Sequence, residues 1–399
     1  MHARLIASQM QVIALRYIAG SWRLQNTSLG HSLADAHTSE LQYLFIEQDC
    51  YSTGEQLPQE LVTYFQVPEH MLSDVYRRSN GFYNSEKIFD KDGNLETFFT
   101  QFRFLVKFTV RGDDSRYLWN EMTFFSRWSP GQCAIICIGV PASLHCFVQK
   151  VIPSMWSKLS SSQPFALHVP LMESIVAMHD TSIWSIRDKV RNIEKGRSVS
   201  SNGVQDSVRM HETARHAIHS FETLTISVQT LESMRQEISD LRDQGRQADT
   251  VQIINLAATD RILACVDCQI RMLRNFSLRA QSNKDRLQNE IALAYSMIAQ
   301  RDSQVMASLG EAARLDSGDM RTIAVVTLVF LPPTFLSALF SMSFFSSGSD
   351  QAGGPPNKWS MSEKFWIYWA FAIPLTSMTM AIWFWRQRQT TRRLKAPCL

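Results

Sequence analysis

The sequence lacks a charge bias of either sign. Forty basic residues against 37 acidic ones leave a net charge of +3 over 399 residues, too little for a nucleic-acid surface, so no nucleic-acid partner is expected. A disulfide framework is also missing, since seven cysteines are an odd number scattered over a long chain without an export signal. Cys265-Val266-Asp267-Cys268 has the spacing of half a zinc site, but no second Cys or His pair follows and the run lies in a helical pattern, which favours packing. His211, His216 and His219 miss the spacing that puts two imidazoles on one helical face, and they read as a solvated face. No Gly-rich phosphate loop, nucleophile elbow or paired His/carboxylate set occurs, so neither an enzyme nor a resident cofactor is expected. Acids are missing before Asp35, while Arg4, Arg16 and Arg23 are present, and Arg16 breaks the apolar run that a secretory signal would need. Residues 1–40 therefore read as a leader, either disordered or an ordinary amphipathic helix, with the composition of a mitochondrial presequence as a further alternative.

What the chain does have is strongly partitioned. Runs such as LQYLFIEQ, FRFLVKFTV, EMTFFSRW and CAIICIGV are rich in β-branched and aromatic residues and are separated by turn chemistry, which predicts an α/β domain over 41–171. Asp113 and Asp114 fall in one of these turns and read as solvated acids rather than a regulatory metal site. From 172 to 319 the apolar period becomes helical. Phe221, Leu224, Val228, Leu231, Ile238 and Leu241 keep coiled-coil spacing, as do Leu287, Ile291, Ala294, Ile298, Val305 and Ala312. Breaks come only at 196–203 and near Gly245, which predicts two or three long antiparallel stalk helices. The last carries no strong stop before the apolar stretch, and from 284 to 345 it would measure roughly 90 Å at 1.5 Å per residue.

Two apolar runs follow, 322–345 and 365–385, each long enough for a hydrocarbon core of about 30 Å. They predict a transmembrane hairpin over 320–345 and 365–385, an external loop over 346–364 and a basic tail over 386–399. Arg386, Arg388, Arg392, Arg393 and Lys395 stand in the tail with no acid, whereas Asp350 and Glu363 balance Lys358 and Lys364 in the loop. Positive-inside bias then puts both termini in the cytosol, with the plasma membrane favoured and the mitochondrial inner membrane as the alternative.

The first membrane run is not a featureless anchor. Met320, Thr327, Thr334 and Ser341 recur every seven residues, and Ala324, Leu331 and Ala338 lie beside them, so one strip of the helix collects hydroxyls. Such a strip is either a helix-packing seam or the wall of a water path. Pro332 and Pro333 remove two backbone donors in the same span, freeing the carbonyls of Leu328 and Val329.

The run MRTIAVVTLVFLPPTFLSALFSMSFF resembles the first transmembrane helix of the CorA family of magnesium and divalent-cation channels, in its divergent fungal-type branch. The carrying features are a stalk end of Met plus a basic residue, a Phe-x-Pro-x-Thr-Phe core at Phe330, Pro332, Thr334 and Phe335, and a small-Met-polar tripeptide before Phe344. WIYWAFAIPLT with its basic tail is similar to the family's second helix, and the motif-level match covers about 316–390. The resemblance implies a homopentameric CorA-like funnel in membrane lipid that conducts a divalent cation, Mg²⁺ above all, which also regulates it from the cytosolic side. It implies a pore face of Ser317, Met320, Thr327, Leu331, Thr334, Ala338 and Ser341, with Met320 and Leu331 as constrictions. Ser341-Met342-Ser343 stands where the family has Gly-Met-Asn. Ser343 and Thr334 would meet the ion through its hydration shell, and the changed tripeptide also admits a non-conducting membrane scaffold or sensor.

Overall fold

The computed structural model describes residues 10–35, 40–47, 59–110, 116–156, 163–196, 203–247, 255–344 and 365–394. The chain divides into one unit ending at Ser296 and another beginning at Met297.

In the first unit, seven strands form one sheet: β1 (Gln11–Ile18), β2 (Ser21–Ser28), β3 (Leu41–Ile46), β4 (Gly81–Phe89), β5 (Leu95–Thr109), β6 (Tyr117–Ser129) and β7 (Gln132–Ile138). The order is β2-β1-β3-β7-β6-β5-β4. Neighbours are antiparallel except β3 and β7, which run parallel with Leu41 opposite Cys133 and Ile46 opposite Ile138. Part of the stretch expected as a leader is folded. Residues 11–28 are a hairpin whose β1 pairs with β3, turned through Ala19 and Gly20, both with positive φ as a two-residue hairpin turn requires. Arg16, which interrupts the apolar run in the sequence, is buried on β1 and donates through Nη2 to the Ser32 carbonyl and to Ser32 Oγ, each at 2.7 Å. Cleavage after 34 would strip Val12, Ala14 and Leu15 from the core.

Short helices α1 (Leu29–Asp35), α2 (Gln59–Phe65) and α3 (Asp74–Arg78) precede α4 (Ala142–Trp156), and three long helices follow: α5 (His168–Gly196), α6 (Gly203–Gln247) and α7 (Leu256–Phe344). One sheet face packs Leu61 and Phe65 of α2 against Leu44, Phe99, Phe125 and Ile136. The other, larger core joins Phe102, Phe104, Phe124 and Trp128 to the apolar faces of α4 to α7. Both faces of the sheet are covered, which is why β3 reads as an unbroken buried run.

The apolar positions of α6 are covered in the core shared with the sheet: Leu224, Leu231, Ile238 and Leu241 are buried, and Phe221 and Val228 pack beside them. Ion pairs fix the direction. Arg235 meets Asp267, Arg242 meets Asp260 at 3.5 Å, and Glu232 meets Arg274 at 2.5 Å, so α6 and α7 run antiparallel. These exposed pairs set register more than stability, at about 0.2–1 kcal/mol each. Arg286 grips Glu194 of α5 with both ends of its fork, at 2.8 and 2.5 Å.

The histidine reading also changes. His211 is exposed, but His216 is buried, and His219 Nδ1 lies 2.8 Å from the Nζ of Lys107 on β5. That ammonium sits 4.2 Å over the Tyr117 ring and 5.0 Å from that of Trp119. Burial, then the Arg215 charge, bring Lys107 down to about 8. Cys265 is half-buried and Cys268 exposed on α7, and among the described residues no group of three or more His, Cys, Asp or Glu is arranged for a metal. Asp113 and Asp114 lie outside the described residues.

Two buried imidazoles should make the first unit acid-sensitive. His168 Nε2 lies 2.9 Å from Thr100 Oγ1 and His179 Nε2 lies 3.0 Å from Ser227 Oγ, and burial lowers both rings from 6.5 to about 3. Because the folded value is below the unfolded one, the unfolded chain binds more protons between pH 3 and 6.5. Their contribution is therefore complete above pH 6.5 and is lost as pH falls toward 3, by up to about 1.4 kcal/mol per pH unit for each ring. Thermal unfolding followed between pH 4 and 8 should show a midpoint that falls below pH 6.5. His179→Asn should flatten that fall, and an unchanged slope would remove His179 from this role.

Candidate pore-lining face

From Met297 onward α7 continues without a break through Gly318 and through Pro332 and Pro333 to Phe344, and α8 (Phe365–Leu394) follows it in sequence. The helix expected to run on from the break near Gly245 begins at Leu256, and α8 extends past Trp385 into the basic tail. Both helices are long and apolar enough to cross a membrane. Their apolar side chains are largely uncovered, Phe330 by 64% and Trp366 by 67%, which separates them from the buried core helices of the first unit.

Contacts between described residues pair α7 with α8. The Tyr368 hydroxyl donates to the Pro333 carbonyl at 3.1 Å, and the Arg321 guanidinium lies 5.7 Å from the Trp383 ring. Residue numbers fall in α7 as they rise in α8, so the helices are antiparallel and 321 and 383 lie at the same end. On α7 the covered positions are Val325, Leu328, Val329, Pro332, Pro333 and Leu336. That spacing of three and four is one helical face. Pro332 is its most buried member, and on α8 Ala372 is covered to 2% exposure.

The hydroxyl strip lies elsewhere. At about 100° per residue, Thr334 is roughly 200° round the helix from Pro332, and Thr327 and Ser341 fall within about 40° of it. Ser317, Met320, Thr327, Leu331, Thr334, Ala338 and Ser341 are all exposed. The structure therefore brings the expected residues onto one face and leaves that face clear of α8. Both readings open from the sequence, a helix-packing seam and the wall of a water path, remain, with the strip on the side of α7 that α8 does not cover.

The strip's chemistry is that of acceptors. Thr327 Oγ1 donates to the Ile323 carbonyl at 2.9 Å, and Thr334 Oγ1 shares its proton between the carbonyls of Phe330 and Leu331, each at 2.9 Å. With the protons turned back onto the helix, the oxygen lone pairs point away from it. Such oxygens suit the outward hydrogens of a hydrated cation, and no carboxylate is needed on the strip. The side chains of Met342 and Ser343, the loop over 346–364 and Cys398 lie outside the described residues.

No family model matches the chain. A curated relative, the notoamide biosynthesis cluster protein M' of Aspergillus versicolor, is 31% identical over 290 residues, or 68% of this chain. The chain spans 60% of that relative's length. Among solved structures it is similar to the CorA magnesium transporter from Methanocaldococcus jannaschii, at a TM-score of 0.46 and 11% identity over 93% of this chain and 96% of that one. It is also similar to the full-length CmaX protein, at 0.45 and 12% over 95% and 97%, and to the ZntB cytoplasmic domain from Vibrio parahaemolyticus, at 0.38 and 12% over 74% and 99%.

Sequence reasoning missed the contacts that orient the strip. Tyr368 and Arg321 were legible only as an aromatic and a cation near the ends of apolar runs. Their partners, Pro333 and Trp383, stand 35 and 62 positions away.

Below the apolar span, the seam expected over Leu287 to Ala312 is covered only at its start. Leu287 is fully buried, but Ile298 is 44% and Val305 49% exposed. The division of the chain at Met297, ahead of the expected stalk end at 319, marks where this covering stops.

Proposed function

We propose that this protein is one subunit of a homopentameric divalent-cation channel in which α7 lines the pore and α8 surrounds it. The observation that carries this reading is the hydroxyl strip, set on the face of α7 turned away from α8. A water path needs polar groups where no helix of the same chain covers them, and a closed ring of copies supplies the enclosure. The motif resemblance of 316–390 supports the choice of a divalent ion, with Mg²⁺ as the leading cargo and as the cytosolic regulator. Met320 and Leu331 are the hydrophobic constrictions, and Ser341, Met342 and Ser343 stand at the filter. The chain crosses the membrane twice with both termini in the cytosol, on the strength of the antiparallel pair and the Arg-rich tail.

One observation favours a second reading, a non-conducting scaffold or sensor of the same assembly: Ser341-Met342-Ser343 replaces Gly-Met-Asn. A hydroxyl ring reaches the ion's water less far than an amide ring and also donates.

The strip is tested without assuming conduction. In a background lacking Cys146 and Cys268, the exposed cysteines among the described residues, Thr334→Cys in native membranes should react with a water-soluble maleimide at least tenfold faster than Phe335→Cys. One residue turns the side chain by about 100°, enough to exchange lumen for protein or lipid. Equal rates at the two positions would remove the pore face from this helix.

A further inference from the structure

On the α2 face of the sheet, the starts of β3 and β7 and the end of β6 leave a small cleft of about 30 Å³. Arg127 of β6 lines it together with Gln42, Tyr64, Ser129 and Gln132. The Arg127 Nε is buried without a hydrogen-bond partner. No acid is paired with that guanidinium among the described residues, and the one carboxylate lining the cleft, Glu40, is exposed. Taking a guanidinium out of water costs free energy unless an acceptor replaces the water.

The surroundings add positive potential and donors. Arg16, buried behind Gln42, donates through Nε to Gln42 Oε1 at 3.4 Å. That occupies the amide oxygen and leaves the amide NH₂ of Gln42 as the end that offers donors. Tyr64 and Ser129 bring hydroxyls, and Gln132 a second amide. Burial raises the Tyr64 phenol, while Arg127 and then Arg16 pull it back down, so the field of both cations reaches this position.

We propose that this cleft is a binding site for a small phosphate-bearing anion, with the Arg127 guanidinium as its anchor. The two Nη groups at the half-exposed end of Arg127 present paired donors that match two oxygens of a phosphate. Gln42, Ser129 and Gln132 add donor side chains around the guanidinium in more directions than the single plane of a carboxylate offers, which suits a tetrahedral ion. The site lies in the first unit and does not depend on whether the protein conducts. A free phosphate and a lipid phosphomonoester share this chemistry.

The full-length protein is placed in phosphatidylcholine nanodiscs and its thermal unfolding is followed with inorganic phosphate against chloride at matched ionic strength. Phosphate should raise the midpoint by about 2–4 °C at saturation. Arg127→Met should lose this rise, while Arg127→Lys, a point charge without the fork, should keep part of it. Ser129→Ala, a mild change at the rim, should weaken the apparent phosphate affinity several-fold with an unaltered midpoint in chloride, which keeps the test decisive should Arg127→Met fold poorly. Discs carrying phosphatidic acid, without free phosphate, separate the sources: a rise there assigns a headgroup, and a rise only with inorganic phosphate assigns a soluble ion. No rise from either source, or a rise that is the same in Arg127→Met, or an affinity unmoved by Ser129→Ala, would overturn the site.

Discussion

Ile298→Glu combined with Val305→Glu should convert the assembly to monomers while the α/β unit stays folded. In α7 the heptad seam begins under cover at Leu287 and then continues uncovered, with Ile298 and Val305 about half exposed. A row of apolar side chains on a helix facing water is stable when another helix seals it, and in a closed ring that helix is the same segment of a neighbouring copy. Two glutamates per chain would place like charges from every copy into one narrow seam, each desolvated without a partner. A cost of several kcal/mol per interface is expected, enough to reduce association by more than a thousandfold. Crosslinking in membranes should give a ladder ending at five for the native chain and at one for the double variant. A native ladder ending at two would reject the ring, and an unchanged ladder in the variant would reject this seam. The first unit should be spared because neither residue touches its core.

Ser341→Gly with Ser343→Asn should raise Mg²⁺ flux about tenfold over the native tripeptide and more than it raises flux of softer divalent ions. Mg²⁺ sheds its water reluctantly, so a filter recognises it through first-shell water, and an Asn carbonyl reaches further toward that water than a Ser hydroxyl. Each ring position contributes a fraction of one hydrogen bond, and about 1.4 kcal/mol summed over five copies is already tenfold. Flux in liposomes carrying native or restored protein, matched for pentamer content, makes the comparison. A restored protein that assembles and stays silent would move the block to another part of the pore and favour the scaffold.

The sequence showed where strong local patterns exist. β3, β5, β6 and β7 were legible because aromatic and β-branched residues crowd them, and the three long helices because only 196–203 and the region near Gly245 interrupt the helical period. β1 was missed because Arg16 looks like a break in an apolar run. In the fold it is a buried side chain bonded to Ser32, a partner that period-two reasoning does not see. β2 and β4 were missed because edge strands are half solvated and so lose clean alternation. His219 read as solvated because its partner, Lys107, stands 112 positions away on a strand. The seam over Ile298 and Val305 shows a further limit: heptads reveal that a face is apolar, but not whether the same chain covers it. For the strip the period located the hydroxyls, and the position of α8 then decided which cover they lack.

The decisive measurement is divalent-cation entry into liposomes reconstituted with the purified chain, read with an internal dye and repeated with Thr334→Phe. Native protein should admit at least one of Mg²⁺, Co²⁺, Ni²⁺ and Zn²⁺ well above protein-free vesicles, and the bulky ring at 334 should reduce that entry at least tenfold without altering assembly. Vesicles carrying intact native pentamers that stay as tight as empty ones to all four ions, or a flux indifferent to Thr334→Phe, would contradict a pore along this face.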